Sequence, residues 1–172
     1  EKKIGAVFFI IGEPAETNRD SIIYALKNGF EIGNHTYTHA NLGELSYEEA
    51  IAEIEKCEKV VNSLYEEAGI ERKYKLFRFP YLNKGGENRE ALQKYLRDNG
   101  FTKIDDAGVK GSLYEDLNAT TEIDVGCSYD FQEYLMHGNP DIRIKWVLDR
   151  IETNDDANPL FGADVKHILL LH

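Results

Sequence analysis

Short apolar runs alternate along the chain with longer stretches in which apolar residues recur at helical spacing. The apolar runs cover residues 6–11, 30–33, 74–79, 123–125 and 167–171. The first and last runs are nearly uniform in apolarity, which is typical of strands that are covered on both faces. Because strand-like runs and helical stretches alternate from end to end, the pattern predicts an α/β fold with a mostly parallel sheet.

The clearest helical stretch covers about residues 47–68. Ser46 and Glu49 form a capping box, in which the hydroxyl and the carboxylate each satisfy a free backbone group at the helix start. Gly69 predicts the helix end. The apolar positions between these signals are Ile51, Ile54, Cys57, Val61, Leu64 and Ala68. Further helices are predicted over about 18–28, 87–98 and 141–151, whereas 102–121 has weak periodicity and is interpreted as irregular.

Length and charge narrow the class of protein. The chain has 172 residues, which suffice for one domain with a substantial core, and no linker or repeat divides it. A formal net charge of -11 argues against nucleic acid as a partner. The same charge suits a neutral or cationic polymer, although solubility explains it more simply. No apolar run approaches the roughly 18 residues of a transmembrane helix. Because the first residue is Glu1, an exported precursor is left open.

Two histidines follow the second apolar run, where active sites of parallel α/β folds gather. His35 and His39 are four residues apart, so both imidazoles can bind one cation. Zinc metalloproteases share this spacing but need Glu directly after the first histidine, and Thr36 excludes that class. Taken alone, the pair favours two surface histidines in a polar loop, because five histidines in 172 residues produce this spacing by chance fairly often.

Three further polar groups lie at the ends of other predicted strands. Arg78 precedes Phe-Pro-Tyr81 and is either a cation at the mouth of the sheet or part of a salt bridge at its rim. Asp130 follows the fourth run, and His172 ends the fifth. A histidine at that place is either a cap on a core strand or a proton donor. Each group by itself favours a structural role.

In combination, these clusters resemble the motifs of the carbohydrate esterase family 4 polysaccharide deacetylases, the NodB-homology domain. The family's second motif, H-S/T-x-x-H after E-I/V/L-G-N, matches residues 31–39. Its third motif, R-x-P-F/Y, matches residues 78–81, and its fifth, an apolar strand ending in L-x-H, matches residues 170–172. The resemblance implies a distorted, incomplete (β/α) barrel of the polysaccharide deacetylase type.

Two motifs of the family depart from this pattern. The first, T-F-D-D-G with a base and a metal-ligand Asp, has no match, and the resemblance places it before Glu1. The fourth, D-x-x-D-W, is half matched, because Cys127 stands for its first Asp and Phe131 for its Trp. Residues 1–172 are therefore interpreted as one deacetylase-like domain that lacks the N-terminal strand with the first motif. A degenerate protein is the alternative.

The resemblance also implies chemistry. It implies a hydrolase that removes acetyl groups from an N- or O-acetylated polysaccharide of the chitin, peptidoglycan or xylan type. His35 and His39 would bind a divalent metal, zinc first and cobalt or nickel as alternatives. The residues with implied catalytic roles are Arg78, Tyr81, Asp130 and His172. Those implied to line the substrate pocket are Tyr81, Phe131 and Leu170.

Two other functions are left open. A cyclic-amide or other non-sugar C–N hydrolase could use a related barrel, and a catalytically silent carbohydrate-binding domain would result if the first motif were truly absent. A polysaccharide substrate would favour a secreted, periplasmic or cell-surface location.

Overall fold

A computed structural model describes most of the chain as two compact units. The described residues are 5–105, 121–125, 129–130, 140–157 and 169–170, with the backbone alone for 129–130, 150–157 and 169–170. The first unit comprises Glu1–Ile104 and Glu122–Asp124. The second comprises Asp105–Thr121 and Val125–His172.

The first unit begins with a parallel strand pair. Strand β1 (Val7–Ile10) pairs in parallel with β2 (Glu31–Asn34). Parallel neighbours need a crossover connection, and helices α1 (Gly12–Thr17) and α2 (Arg19–Lys27) supply it. The prediction includes α2 but not α1, because this six-residue helix is too short to show a helical period. In β1, Phe8 is 48% exposed, so the expectation that both faces of this strand are covered is wrong.

Helix α3 (Tyr47–Ala68) has the predicted bounds. The backbone N–H of Glu49 donates to Ser46 Oγ, and the N–H of Ser46 donates to a Glu49 carboxylate oxygen, which confirms the capping box. Gly69 ends the helix with a left-handed φ of 69°. Fully buried side chains of α3 are Ala50, Ile54, Cys57, Val61 and Leu64. Helix α4 (Arg89–Asp98) adds buried leucines to the core of the same unit.

Two of the apolar runs, 74–79 and 123–125, do not form the expected strands. Residues 74–79 form only isolated parallel bridges, Asn34 with Phe77 and Lys75 with Phe101. In residues 123–125, the backbone N–H of Ile123 donates to Gln93 Oε1 at 2.7 Å, and its carbonyl accepts from Gln93 Nε2 at 3.1 Å. A side chain therefore takes the place of a neighbouring strand.

The second unit contains another parallel pair. Strands β3 (Tyr129–Asp130) and β4 (Leu169–Leu170) align Asp130 with Leu170. Helix α5 (Pro140–Ala157) extends beyond the predicted 141–151, and two of its apolar positions, Ile144 and Leu148, are more than half exposed. None of the described helices combines the length and apolar character needed to cross a membrane. Most of the stretch interpreted as irregular, 102–121, lies outside the described residues.

Candidate active site

The two predicted metal ligands lie close together in the loop that follows β2. The rings of His35 and His39 are 4.8 Å apart between centroids, at 65°. Nδ1 of His35 lies 2.9 Å from the carbonyl oxygen of Arg78. A carbonyl can only accept, so Nδ1 carries the hydrogen and Nε2 holds the lone pair in the neutral ring. Histidine ligands of metals are commonly oriented through their second nitrogen in this way.

Residues 35–39, named here the histidine loop, contain two left-handed residues that are not glycine. Thr36 has a φ of 67° and His39 a φ of 63°. Each such conformation costs on the order of 1–2 kcal/mol and persists only where the surroundings hold it. Thr36 is fully buried, and its hydroxyl oxygen has no hydrogen-bond partner within the described part of the chain.

Asn34 holds the start of the histidine loop. Its buried side chain donates from Nδ2 to the carbonyl of Ile54 at 2.9 Å and to a carboxylate oxygen of Glu58 at 3.2 Å. Its Oδ1 accepts from the backbone N–H of Thr36 at 2.9 Å. The loop is thereby tied to α3 immediately before the first histidine.

The start of α1 and the side of α3 hold the middle of the loop. The backbone N–H groups of Gly12 and Glu13 donate to the carbonyls of Thr36 and Tyr37 at 3.0 and 2.9 Å. A Cβ at Gly12 would lie 2.7 Å from the Tyr37 ring, so only glycine allows this approach. From α3, Glu53 accepts hydrogen bonds from the backbone N–H groups of Tyr37 and Thr38.

A strained turn lies against the second histidine. Tyr81 and Leu82 both have a φ of 56°, and Tyr81 follows a proline that starts a short 3-10 turn. The Tyr81 ring is 67% exposed, with its centroid 4.7 Å from that of His39. The carboxylate of Asp124, itself buried, accepts from the backbone N–H of Phe79 at 3.2 Å. The turn that carries Tyr81 is thus held from a segment distant in sequence.

Arg78 connects the strand region to this turn. Its backbone N–H donates to the carbonyl of Asn34 at 3.1 Å. Arg78 as a whole residue is only 8% exposed. A carboxylate partner would stabilise a cation at such a position.

The donor set fits a metal ion in part. The two histidines place two imidazole rings close together, with nitrogen atoms of the type that ligate catalytic zinc. The described residues contain no group of three or more His, Cys, Asp or Glu side chains that could hold a metal ion. Cys57 lies nearby on α3, where burial raises the pKa of its thiol to about 12 and favours the neutral thiol.

The remaining predicted site residues belong to the second unit. Asp130 and Leu170 are aligned in neighbouring parallel strands, as described above. Phe131, His172 and Cys127 lie outside the described residues. The structure therefore brings together His35, His39, Arg78 and Tyr81 in the first unit and pairs Asp130 with Leu170 in the second.

Two carboxylates at the site have no part in the sequence prediction. Glu53 looks in the sequence like an ordinary charged helix position, and no local pattern marks its contact with the histidine loop. Asp124 carries a stronger signal, because a charged residue stands between the apolar Ile123 and Val125. Such a charge in an apolar run indicates a buried side chain with a specific partner.

Comparison with known proteins identifies the family. The polysaccharide deacetylase profile matches residues 1–104, and the chain belongs to this family. A peptidoglycan-N-acetylglucosamine deacetylase from Bacillus cereus is 28% identical over 156 residues, which cover 88% of the chain and 52% of that protein. The chain thus spans about half the length of this curated relative.

Two solved structures show the same fold. A polysaccharide deacetylase from Bacillus cereus matches with a TM-score of 0.63 and 18% identity, over 98% of the chain and 66% of that structure. A carbohydrate esterase family 4 pseudoenzyme from Bacillus anthracis matches with a TM-score of 0.54 and 18% identity, over 85% and 41%. The resemblance to family 4 drawn from the motifs is confirmed.

Proposed function

We propose that this chain carries part of the active site of a metal-dependent hydrolase that removes acetyl groups from an N- or O-acetylated polysaccharide. The close approach of the His35 and His39 rings, with 4.8 Å between centroids, is the observation that carries the proposal. Family membership supports it, and the Bacillus cereus relative makes peptidoglycan the first substrate to test, ahead of chitin and xylan. The chain would form part of a distorted, incomplete (β/α) barrel within a single domain.

Deacetylation requires an activated water to attack a carbonyl and a stabilised negative oxygen. His35 and His39 would hold zinc, or cobalt or nickel in its place. The bound metal supplies Lewis-acid polarisation of the water and the acetyl oxygen. A third protein ligand completes such a site, and the resemblance assigns it to an Asp of the first motif, for which residues 1–172 contain no match.

The turn after Arg78 would serve the carbonyl under attack. The backbone N–H of Tyr81 would donate to the negative oxygen, a contact that is typically worth about 3 kcal/mol. The exposed Tyr81 ring beside His39 would form a wall for the sugar. Arg78 would orient the base of the first motif and keep it ionised, since a nearby cation favours the carboxylate. The low exposure of Arg78 as a whole residue, 8%, supports this role.

The second unit would supply the acid and the acetyl pocket. By resemblance, His172 would protonate the leaving amine, and Asp130 would stabilise its imidazolium form. Leu170 and Phe131 would line and cover the acetyl pocket. The register that aligns Asp130 with Leu170 supports a shared position for these two residues.

Replacement of the histidines tests the proposal. In the full-length protein, we expect His35→Ala and His39→Ala to lose both zinc, measured by elemental analysis, and acetate release from peptidoglycan. His137→Ala removes a histidine outside the pair and should change neither. Full zinc content together with unchanged acetate release in both variants would contradict the proposal.

A second candidate is a carbohydrate-binding domain without catalysis. It is favoured by the lack of a three-ligand metal group among the described residues and by the pseudoenzyme with the same fold. The same preparation distinguishes the two: binding to peptidoglycan without acetate release at saturating zinc would favour this candidate over the hydrolase.

A further inference from the structure

Glu53 lies on α3, outside the motifs that define the site, and its carboxylate contacts the backbone between the two histidines. Its Oε2 accepts from the N–H of Tyr37 at 3.1 Å and from the N–H of Thr38 at 2.8 Å. These consecutive amides lie between His35 and His39 in the chain. A single carboxylate oxygen of Glu53 therefore holds the backbone that joins the two histidines.

We propose that Glu53 is a positioning residue that fixes the second half of the histidine loop, an inference that rests on the proposed metal role of the histidine pair. The loop contains left-handed residues at Thr36 and His39, so its conformation depends on contacts from outside. Asn34 holds the loop before Thr36, through the N–H of that residue. Glu53 acts after it, immediately before His39.

Helix α3 is a suitable support for this contact. Its capping box and buried apolar face fix the helix, and a charged acceptor binds amides more strongly than a neutral one does. Nζ of Lys56, three residues further along the same helix, lies 3.6 Å from the centroid of the Tyr37 ring. Helix α3 therefore contacts both the backbone and the ring of Tyr37.

The consequence concerns metal affinity. A metal site depends on the orientation of its ligands, and loss of a supporting residue typically lowers affinity by about 10–100-fold. Without the Glu53 carboxylate, two amides lose their acceptor and the position of His39 relative to His35 is less restricted.

The test compares variants of the full-length protein in two measurements. Hydrogen exchange of the Tyr37 and Thr38 amides is followed by NMR in metal-free protein, and zinc affinity is measured by competition with a chelator. For Glu53→Ala we expect faster exchange at both amides and zinc affinity lowered by about 10–100-fold. Glu53→Gln keeps an acceptor oxygen and should retain most of both properties. Glu66→Ala, an exposed charge removed from the same helix, should match the unmodified protein.

Two outcomes would overturn the inference: unchanged exchange at both amides in Glu53→Ala, or faster exchange with unchanged zinc affinity. If Glu53→Ala does not fold, Glu53→Asp is compared with Glu53→Gln. The aspartate keeps the charge but not the reach, so it should bind zinc more weakly than the glutamine, and equal affinity would overturn the inference. An unmodified protein that binds no zinc would contradict the proposed function instead, while amide exchange would still report whether Glu53 holds the loop.

Discussion

Glu122 is an example of one carboxylate that fixes a segment of chain. One of its oxygens lies 2.6 Å from Arg89 Nε, and the other lies 2.7 Å from Lys84 Nζ. The hydrogen bonds from Arg89 first, and then from Lys84, lower the pKa of Glu122 from its ordinary value of 4.5 to about 2. Its ionised form is therefore favoured in the folded state.

This pKa shift predicts a pH dependence of stability. A lowered pKa stabilises the fold above the ordinary value of 4.5, and the contribution is lost as the pH falls toward about 2. We expect the difference in unfolding free energy between the unmodified protein and Glu122→Gln to be constant above pH 5 and to shrink between about pH 4.5 and 2. Denaturant unfolding across this range measures it. A difference that does not change with pH would show that the ion pairs contribute nothing.

At the scale of single residues, the sequence predicts chemistry that lies close together in the chain. His35 and His39 are four positions apart, so their shared loop brings the rings together without knowledge of the fold. Glu53 and Asp124 contact the same site from far away in sequence. Their role depends on how α3 and the segment 121–125 pack, which no local pattern encodes.

At the scale of elements, the capping box of α3 gives a direct prediction. Ser46→Ala removes the acceptor of the Glu49 N–H, and such caps contribute about 1 kcal/mol. We expect a loss of about that size in the unfolding free energy, measured by denaturant titration. Ser21→Ala, an exposed serine of α2, is the matched control and should have little effect. An equal loss in both variants would argue against the cap.

The same helix shows why some elements are predictable. Its start, period and end signals all lie within the segment, so α3 has the predicted bounds. The only signal within residues 74–79 and 123–125 is their apolar character. Their hydrogen-bond partners lie in other parts of the chain. The partner of Ile123 is the side chain of Gln93, which an apolar pattern cannot reveal. Apolar runs therefore predict burial more reliably than they predict strand pairing.

At the scale of the whole molecule, chain connectivity links the two compact units. The chain passes from the first unit to the second, returns for Glu122–Asp124, and leaves again. The order of the motifs along the chain predicts the family. It does not predict this return, which depends on Gln93 and on the ion pairs of Glu122.

Gln93 therefore tests whether the chain unfolds as the single domain that the sequence predicts. It is 3% exposed, and Gln93→Ala would leave the N–H and carbonyl of Ile123 without these partners, a loss of about 1–3 kcal/mol. Trp146, the one tryptophan of the sequence, lies in the second unit, so its fluorescence reports on that unit, while hydrogen exchange of α3 amides reports on the first. Glu122–Asp124 is joined on both sides to the second unit, so in Gln93→Ala we expect the fluorescence transition and the α3 exchange to shift by the same free energy. The control Arg97→Ala, on the same helix as Gln93, should shift neither measurement. A shift in α3 exchange with an unchanged fluorescence transition would show that the units unfold independently and that the single-domain prediction is wrong.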